Sequence, residues 1–203
     1  MSDEKNYWES IKPFLILLTI LALIVIGIFA IKPFIKPRPL YPTITYNQFE
    51  FTQKNNVWYT EWQKDGQTYE LGIRYNPLEV ENVSVSGKLN ETFNRQPLYI
   101  TFDPEQKEGD YKYLALAIAE FGLPAVKAMG AGIQSACTQN TSEACEAHAI
   151  VTCDDDDKSV MYLRIANETR VLLDGNCLVV EGNGLNLIKA IDRVLYHFLK
   201  IMP

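Results

Sequence analysis

The residues best equipped for chemistry lie in the last third of the chain, where all four cysteines are found: Cys137, Cys145, Cys153 and Cys177. Two chemistries compete for them. Zinc takes tetrahedral sulfur and nitrogen ligands. Cys145-Glu-Ala-His148 is a C-x₂-H step flanked by Cys137 and Cys153, so the inventory suffices, although the spacing matches no established zinc motif. The alternative is two disulfides, as an even cysteine count in a domain outside the cell would suggest; free buried thiols are the third possibility. Of the three connectivities, Cys137–Cys145 and Cys153–Cys177 are preferred. The first closes a short polar loop. The second joins residues at one end of a strand group, but only if the first and fourth strands of that group are neighbours, since bridged Cα atoms lie about 4.4–6.8 Å apart.

Other candidates are weaker. Asp154-Asp-Asp-Asp157 offers oxygen ligands for calcium, but the spaced ligands of a calcium loop are missing and four consecutive carboxylates also make a solvated turn. His148 and His197 are the only histidines. Gly182-Asn183-Gly184 precedes a helical pattern and could present amides to an anion, or be a turn and cap. Trp58, Tyr59 and Trp62 could form a carbohydrate platform, or fill a core. No Ser-His-Asp signature, GxSxG, HExxH, P-loop or GxGxxG appears, so no catalytic residue and no cofactor is expected.

These residues need elements to position them. Phe14–Ile31 is eighteen residues without a charge, about 27 Å as a helix against a hydrocarbon core of about 30 Å. It is bordered on both sides by the tetrapeptide Ile-Lys-Pro-Phe, whose lysine can snorkel and whose proline can end a helix. The expected organisation is a polar tail (1–13), a single transmembrane helix (14–31), a Pro-rich extended spacer (32–42) and a globular domain (43–203), with a possible subdomain split near Gly109. Lys/Arg flanking the apolar run are nearly balanced and lean slightly towards a cytoplasmic domain. Four Asn-x-Ser/Thr sequons, at Asn82, Asn90, Asn140 and Asn167, point outward as glycosylation candidates in expected loops. Residues 41–203 carry 14 Lys/Arg against 22 Asp/Glu, a net of −8, which argues against nucleic-acid binding.

The domain reads as α+β: two meander-like groups of antiparallel strands and about three helices, the last C-terminal and amphipathic. Strands are expected at Thr43–Thr52, Val57–Gln63 and Thr68–Tyr75, with Asp65-Gly66 as a hairpin turn. Asn76–Gln96 reads as loop and Pro97–Asp103 as a strand. Tyr111–Gly122 reads as a helix, followed by a second helix from Pro124 to about Ala136. Four short strands follow: Ala149–Cys153, Ser159–Ile165, Arg170–Leu173 and Asn176–Glu181. Leu187, Ile188, Ile191, Val194, Leu195 and Phe198 recur at helical spacing over 185–201, with Lys189, Asp192, Arg193 and Lys200 on the other face.

The segments Ile150–Cys153, Leu173–Gly182, Leu187–Leu195 and Ile201-Met202, with the Tyr46–Tyr75 hairpins and Phe102-Asp103-Pro104, resemble uncharacterised single-pass membrane proteins of small-genome archaea. The resemblance covers most of the chain after the apolar run. It implies an anchored cell-surface domain, on surfaces that use Asn-x-Ser/Thr glycosylation, and no reaction or ligand. The expectation is therefore a membrane-anchored, extracellular glycoprotein domain working through contacts with a protein partner in an envelope, adhesion or assembly role. A ligand-binding or sensory ectodomain and a membrane-anchored enzyme are the alternatives.

Overall fold

The computed structural model describes residues 3–31, 40–106 and 111–203, with side chains in the first segment described over 11–27. The expected boundary near Gly109 and most of the expected spacer fall outside these residues. Met1–Leu40 and Tyr41–Pro203 are two compact units.

The first unit holds helix α1 (Asp3–Ile31). The expected polar tail is helical from Asp3, and the helix continues through Pro13. From Phe14 to Ile26 every side chain is exposed, and apolar residues occupy all faces. Among the described residues no helix is long and apolar enough to cross a membrane. The last four residues of the apolar run, 28–31, have side chains outside that description.

The second unit begins with a four-stranded antiparallel sheet in chain order: β1 (Thr43–Tyr46), β2 (Phe49–Lys54), β3 (Val57–Lys64) and β4 (Gln67–Ile73). What sequence suggested as one strand over Thr43–Thr52 is a hairpin. Its turn residues Asn47 and Gln48 both have positive φ, as do Asn55-Asn56 and Asp65-Gly66 at the next two turns. Two consecutive left-handed residues match the twist of paired strands, which is why Asn, Asp and Gly dominate here. Phe51, Trp58, Leu71 and Ile73 face inward, each at 7% exposure or less.

After a short helix α2 (Pro77–Val80), the chain builds a seven-stranded sheet from β5 (Ser84–Leu89), β6 (Leu98–Phe102), β7 (Ile133–Cys137), β8 (Ala149–Ile150), β9 (Ser159–Ile165), β10 (Arg170–Gly175) and β11 (Cys177–Gly182). Its order is β5-β10-β11-β9-β6-β7-β8. The expected second antiparallel meander is thus corrected to a mixed sheet, in which only β10–β11 is antiparallel. Two physical facts account for this. Helix α3 (Tyr111–Pro124) connects β6 to β7, so those strands run parallel. Strand β11 is buried at five of six positions, so it takes the central slot between β9 and β10 instead of following β10 outward.

Two further expectations change. The second helix stops after one π-type turn, Ala125–Met129, because Gly130 takes a left-handed conformation (φ 68°) and Ile133–Cys137 pairs beside β6. Strand β5, within the expected loop, is a polar edge strand.

Helix α4 (Leu185–Phe198) packs against β11 and α3 and is the centre of the core. Leu187, Ile188, Ile191 and Leu195 have no exposed surface. Two of the four polar residues assigned to its solvent face are also buried: Asp192 is 0% and Arg193 7% exposed. Asp192 Oδ2 accepts the Tyr75 amide at 2.9 Å, and the Tyr196 hydroxyl donates to the Tyr75 carbonyl at 2.6 Å. Arg193 donates to the Pro203 carbonyl at 2.7 Å. The first sheet caps this region, with Trp62 Nε1 donating to the Leu199 carbonyl and Asn47 Nδ2 to the Ile201 carbonyl.

Burial raises the Asp192 carboxyl well above its ordinary range. Glu120 and Glu79 add to the shift, while the Tyr75 amide and Arg74 oppose it. Because the folded value exceeds the unfolded one, this group's contribution is fully present below the unfolded value, near 3.9, and is lost as pH rises through the folded one. Asp192→Asn mimics the neutral acid and keeps an acceptor for Tyr75. We expect it to match the wild type at acidic pH and exceed it in melting temperature at pH 8–9. Parallel pH profiles for the two proteins would refute this assignment.

Candidate functional site

The cysteines pair as preferred. Cys137–Cys145 and Cys153–Cys177 are disulfides, with Cα separations of 5.9 and 5.2 Å, and no cysteine is free. The zinc set Cys137, Cys145, His148 and Cys153 is therefore not assembled: its thiolates are consumed, and His148 is exposed on the short loop after Cys145. The geometric objection to Cys153–Cys177 is resolved by chain direction. Cys153 lies beyond β8, on a segment that returns across the sheet towards the start of β11, so no strand adjacency is required. These bridges fit an extracellular or secreted domain.

The Asp154–Asp157 run is a built turn. Asp155 pairs with Lys158 at 2.7 Å and accepts the Thr152 amide at 2.8 Å, contacts that, in that order, hold its carboxyl below the usual range. Asn176 Nδ2, on the turn before β11, lies 3.0–3.4 Å from the carbonyls of Asp155, Lys158 and Cys153. An amide nitrogen thus occupies the point where backbone oxygens converge. Among the described residues no group of three ligating side chains converges on a metal position. At Gly182-Asn183-Gly184 the first α4 amides turn to the carbonyls of Asn183 and Gly184. A Cβ on Gly182 would lie 2.6 Å from the Leu187 amide nitrogen, so glycine is required by close packing of strand on helix. All four sequon asparagines are exposed, in turns or coil.

The aromatic platform is split. Trp58 is buried and the Trp62 indole is bound to the Leu199 carbonyl. Tyr59 points to the opposite face, with Lys54 Nζ 5.6 Å from its ring centroid. The outward face of the first sheet nevertheless carries the feature that sequence reading missed. The β2–β3 ladder contains only Thr52–Tyr59, Gln53–Trp58 and Lys54–Val57. Beyond Thr52 and Tyr59 the two strands are no longer laddered to each other, while β2 stays paired to β1 and β3 to β4. A cleft of about 740 Å³ lies there, lined by Phe49, Glu50, Thr60, Glu61, Trp62 and Glu70 among others.

Strand alternation sorts this lining into two kinds. Glu61 lies directly opposite Glu70 in the β3–β4 register, and Glu50 shares their outward face. All three are exposed, and none has an ion-pair or hydrogen-bond partner among the described residues. Phe49, Thr60 and Trp62 belong to the inward face. Thr60 is 3% exposed and its hydroxyl has no partner. Like charges opposite one another across strands are unfavourable, and a buried unpaired hydroxyl is too. Both costs fall within this one cleft.

A second groove, about 670 Å³, lies between Lys88–Asn94 and the end of α4. Phe93 stacks on Phe198 with ring centroids 5.8 Å apart, and His197 Nδ1 is buried beside them without a partner. Elsewhere Glu181, 1% exposed on β11, is paired with both Arg164 and Arg170 and so is satisfied. Comparison with protein-family models, with curated proteins and with solved structures finds no match for the chain.

Two predictions follow from the geometry. Glu70→Lys replaces a cross-strand repulsion with an attraction. It should stabilise the domain by about 0.5–1 kcal/mol at low ionic strength, with the gain shrinking in about 0.5 M salt as screening takes over. Melting curves at two salt concentrations test it, and a destabilised variant would contradict the placement of the carboxylates. For the disulfides, the 24-residue separation of Cys153–Cys177 against 8 for Cys137–Cys145 sets the order of their effects. Replacing the longer pair by serines should cost roughly 3–4 kcal/mol and the shorter roughly 2–3 on the chain-entropy account. Denaturant unfolding of the two double variants would show the order.

Proposed function

We propose that this chain is a single-pass membrane-anchored surface protein whose disulfide-bonded domain works through protein contact at the β2–β3 cleft. The observation that carries the reading is the cleft itself. Strand edges that stop pairing, three partnerless carboxylates and a buried hydroxyl without a partner describe a surface short of contacts, and a second chain would supply them.

The anchoring half of the proposal rests on α1. Its backbone is helical through Ile31, and its described side chains from Phe14 to Ile26 are exposed on all faces. A helix that is apolar all round and uncovered is costly in water and suits lipid. Two disulfides and four exposed sequons favour placing the domain outside.

A membrane-impermeant maleimide tests the topology. On intact cells we expect labelling of the cysteines only after reduction. Silence in intact cells, with labelling after lysis in the absence of reductant, would place the domain inside and overturn the surface reading.

A further inference from the structure

We propose that the β2–β3 cleft accepts an extended peptide strand of a partner protein that carries lysine or arginine at alternate positions. The inference rests on the reading that this domain acts by protein contact, and it names what is contacted.

Three observations converge. The first is the backbone. An ordinary antiparallel pair continues its ladder along both strands, but here Phe49–Phe51 and the residues of β3 from Thr60 onward have separated while each strand keeps its outer neighbour. Amides and carbonyls along such an edge are obligatory hydrogen-bonding groups, and a strand added beside them is the simplest complement. The cleft volume, about 740 Å³, lies within the roughly 300–1,000 Å³ of ordinary ligand sites.

The second is charge. Glu50, Glu61 and Glu70 lie on the outward face and have no cation paired to them among the described residues. The one lysine in the lining, Lys54, lies over the Tyr59 ring. Three carboxylates on neighbouring strands favour a cationic occupant and disfavour an acidic one.

The third is independent of charge. Thr60 lines the same cleft from the inward face, 97% covered, with its hydroxyl unpartnered. Successive side chains of a bound strand point to opposite faces. One set would therefore meet the carboxylates, and the other would meet Phe49, Trp62 and the Thr60 hydroxyl. The recognised pattern is basic residues alternating with small polar ones.

The test uses the full chain in detergent micelles and the peptide acetyl-(Lys-Thr)4-amide, with acetyl-(Glu-Thr)4-amide as the acidic counterpart and spermine as a polycation without a peptide backbone. Binding is read by calorimetry at fixed low salt. We expect the lysine peptide to bind, the glutamate peptide not to, and spermine to bind at least about tenfold more weakly. The Glu50→Gln/Glu61→Gln/Glu70→Gln variant should lose about tenfold in affinity. Asp154→Asn/Asp156→Asn/Asp157→Asn, which removes the same net charge elsewhere, should lose none. Thr60→Val should weaken binding several-fold while the melting temperature holds or rises, which a purely structural threonine would not do. Equal loss in the two triple variants would show nonspecific attraction to an acidic protein. Equal binding of spermine would show a site for small polycations. Either result, or no binding to the wild type, overturns the proposal. The labelling experiment reads topology separately, so failure here with labelling only after reduction rejects the basic strand and leaves the surface placement standing.

Discussion

Both backbone polar groups of one residue, Tyr75, are held by one helix. Asp192 accepts its amide and Tyr196 donates to its carbonyl, at 2.9 and 2.6 Å. Tyr75 lies two residues past β4, where the chain leaves the first sheet and turns, through the Asn76–Glu79 capping box of α2, towards the second sheet. The clamp therefore fixes how the two sheets meet. The packing inward of it is mainly apolar: Phe51 and Tyr196 pack edge to face with ring centroids 5.8 Å apart. Arg74, next to the clamp, pairs with Glu120 of α3, tying that helix to the same point. A carboxyl this deeply buried is expensive when ionised and cheap when protonated, so the clamp works best with its proton on.

The far side of the larger sheet is held by different means. Its helix-covered face is aliphatic, whereas the opposite face has only a small cluster of Ala136, Val151, Val160 and Cys177. The segment over that face supplies little apolar surface, and covalent and polar ties take over. Cys153–Cys177 and the Asn176 amide hold its return turn, and Thr101 Oγ1 donates to the Val151 carbonyl at 2.8 Å. The acidic run is thus shaped by what anchors it from beneath.

Sequence made local features legible and non-local ones only in part. The Asp65-Gly66 turn, the alternation of Leu71 and Ile73, the apolar stripe of α4 and the short Cys137–Cys145 loop could be read because each depends on turn chemistry, periodicity or loop length, whereas the Cys153–Cys177 bridge forms without the strand adjacency that the sequence argument required. Strand order could not. The Asn167-Glu168 turn reads as a hairpin, yet β11 lies between the strands it connects, because only a central slot buries both faces of Cys177–Gly182. Asp192 and Arg193 looked solvent-facing because helical spacing counts faces, while burial depends on what the first sheet and the chain end place over them. The cleft was hidden for the same reason: Glu50, Glu61 and Glu70 are spread over three strands, and nothing in their spacing announces a ladder that stops at Thr52–Tyr59.

The Tyr75 clamp also has a kinetic face. Tyr75 and Asp192 are 117 residues apart, whereas the three hairpin turns of the first sheet join strands directly consecutive in the chain. Loop closure over long separations costs more entropy, so local hairpins form without waiting for the distant helix. In that interval Phe51, Trp58, Leu71 and Ile73 present an apolar sheet face with no cover. Arrival of α4 turns this face from an uncovered, aggregation-prone surface of the folding chain into a buried wall of the domain.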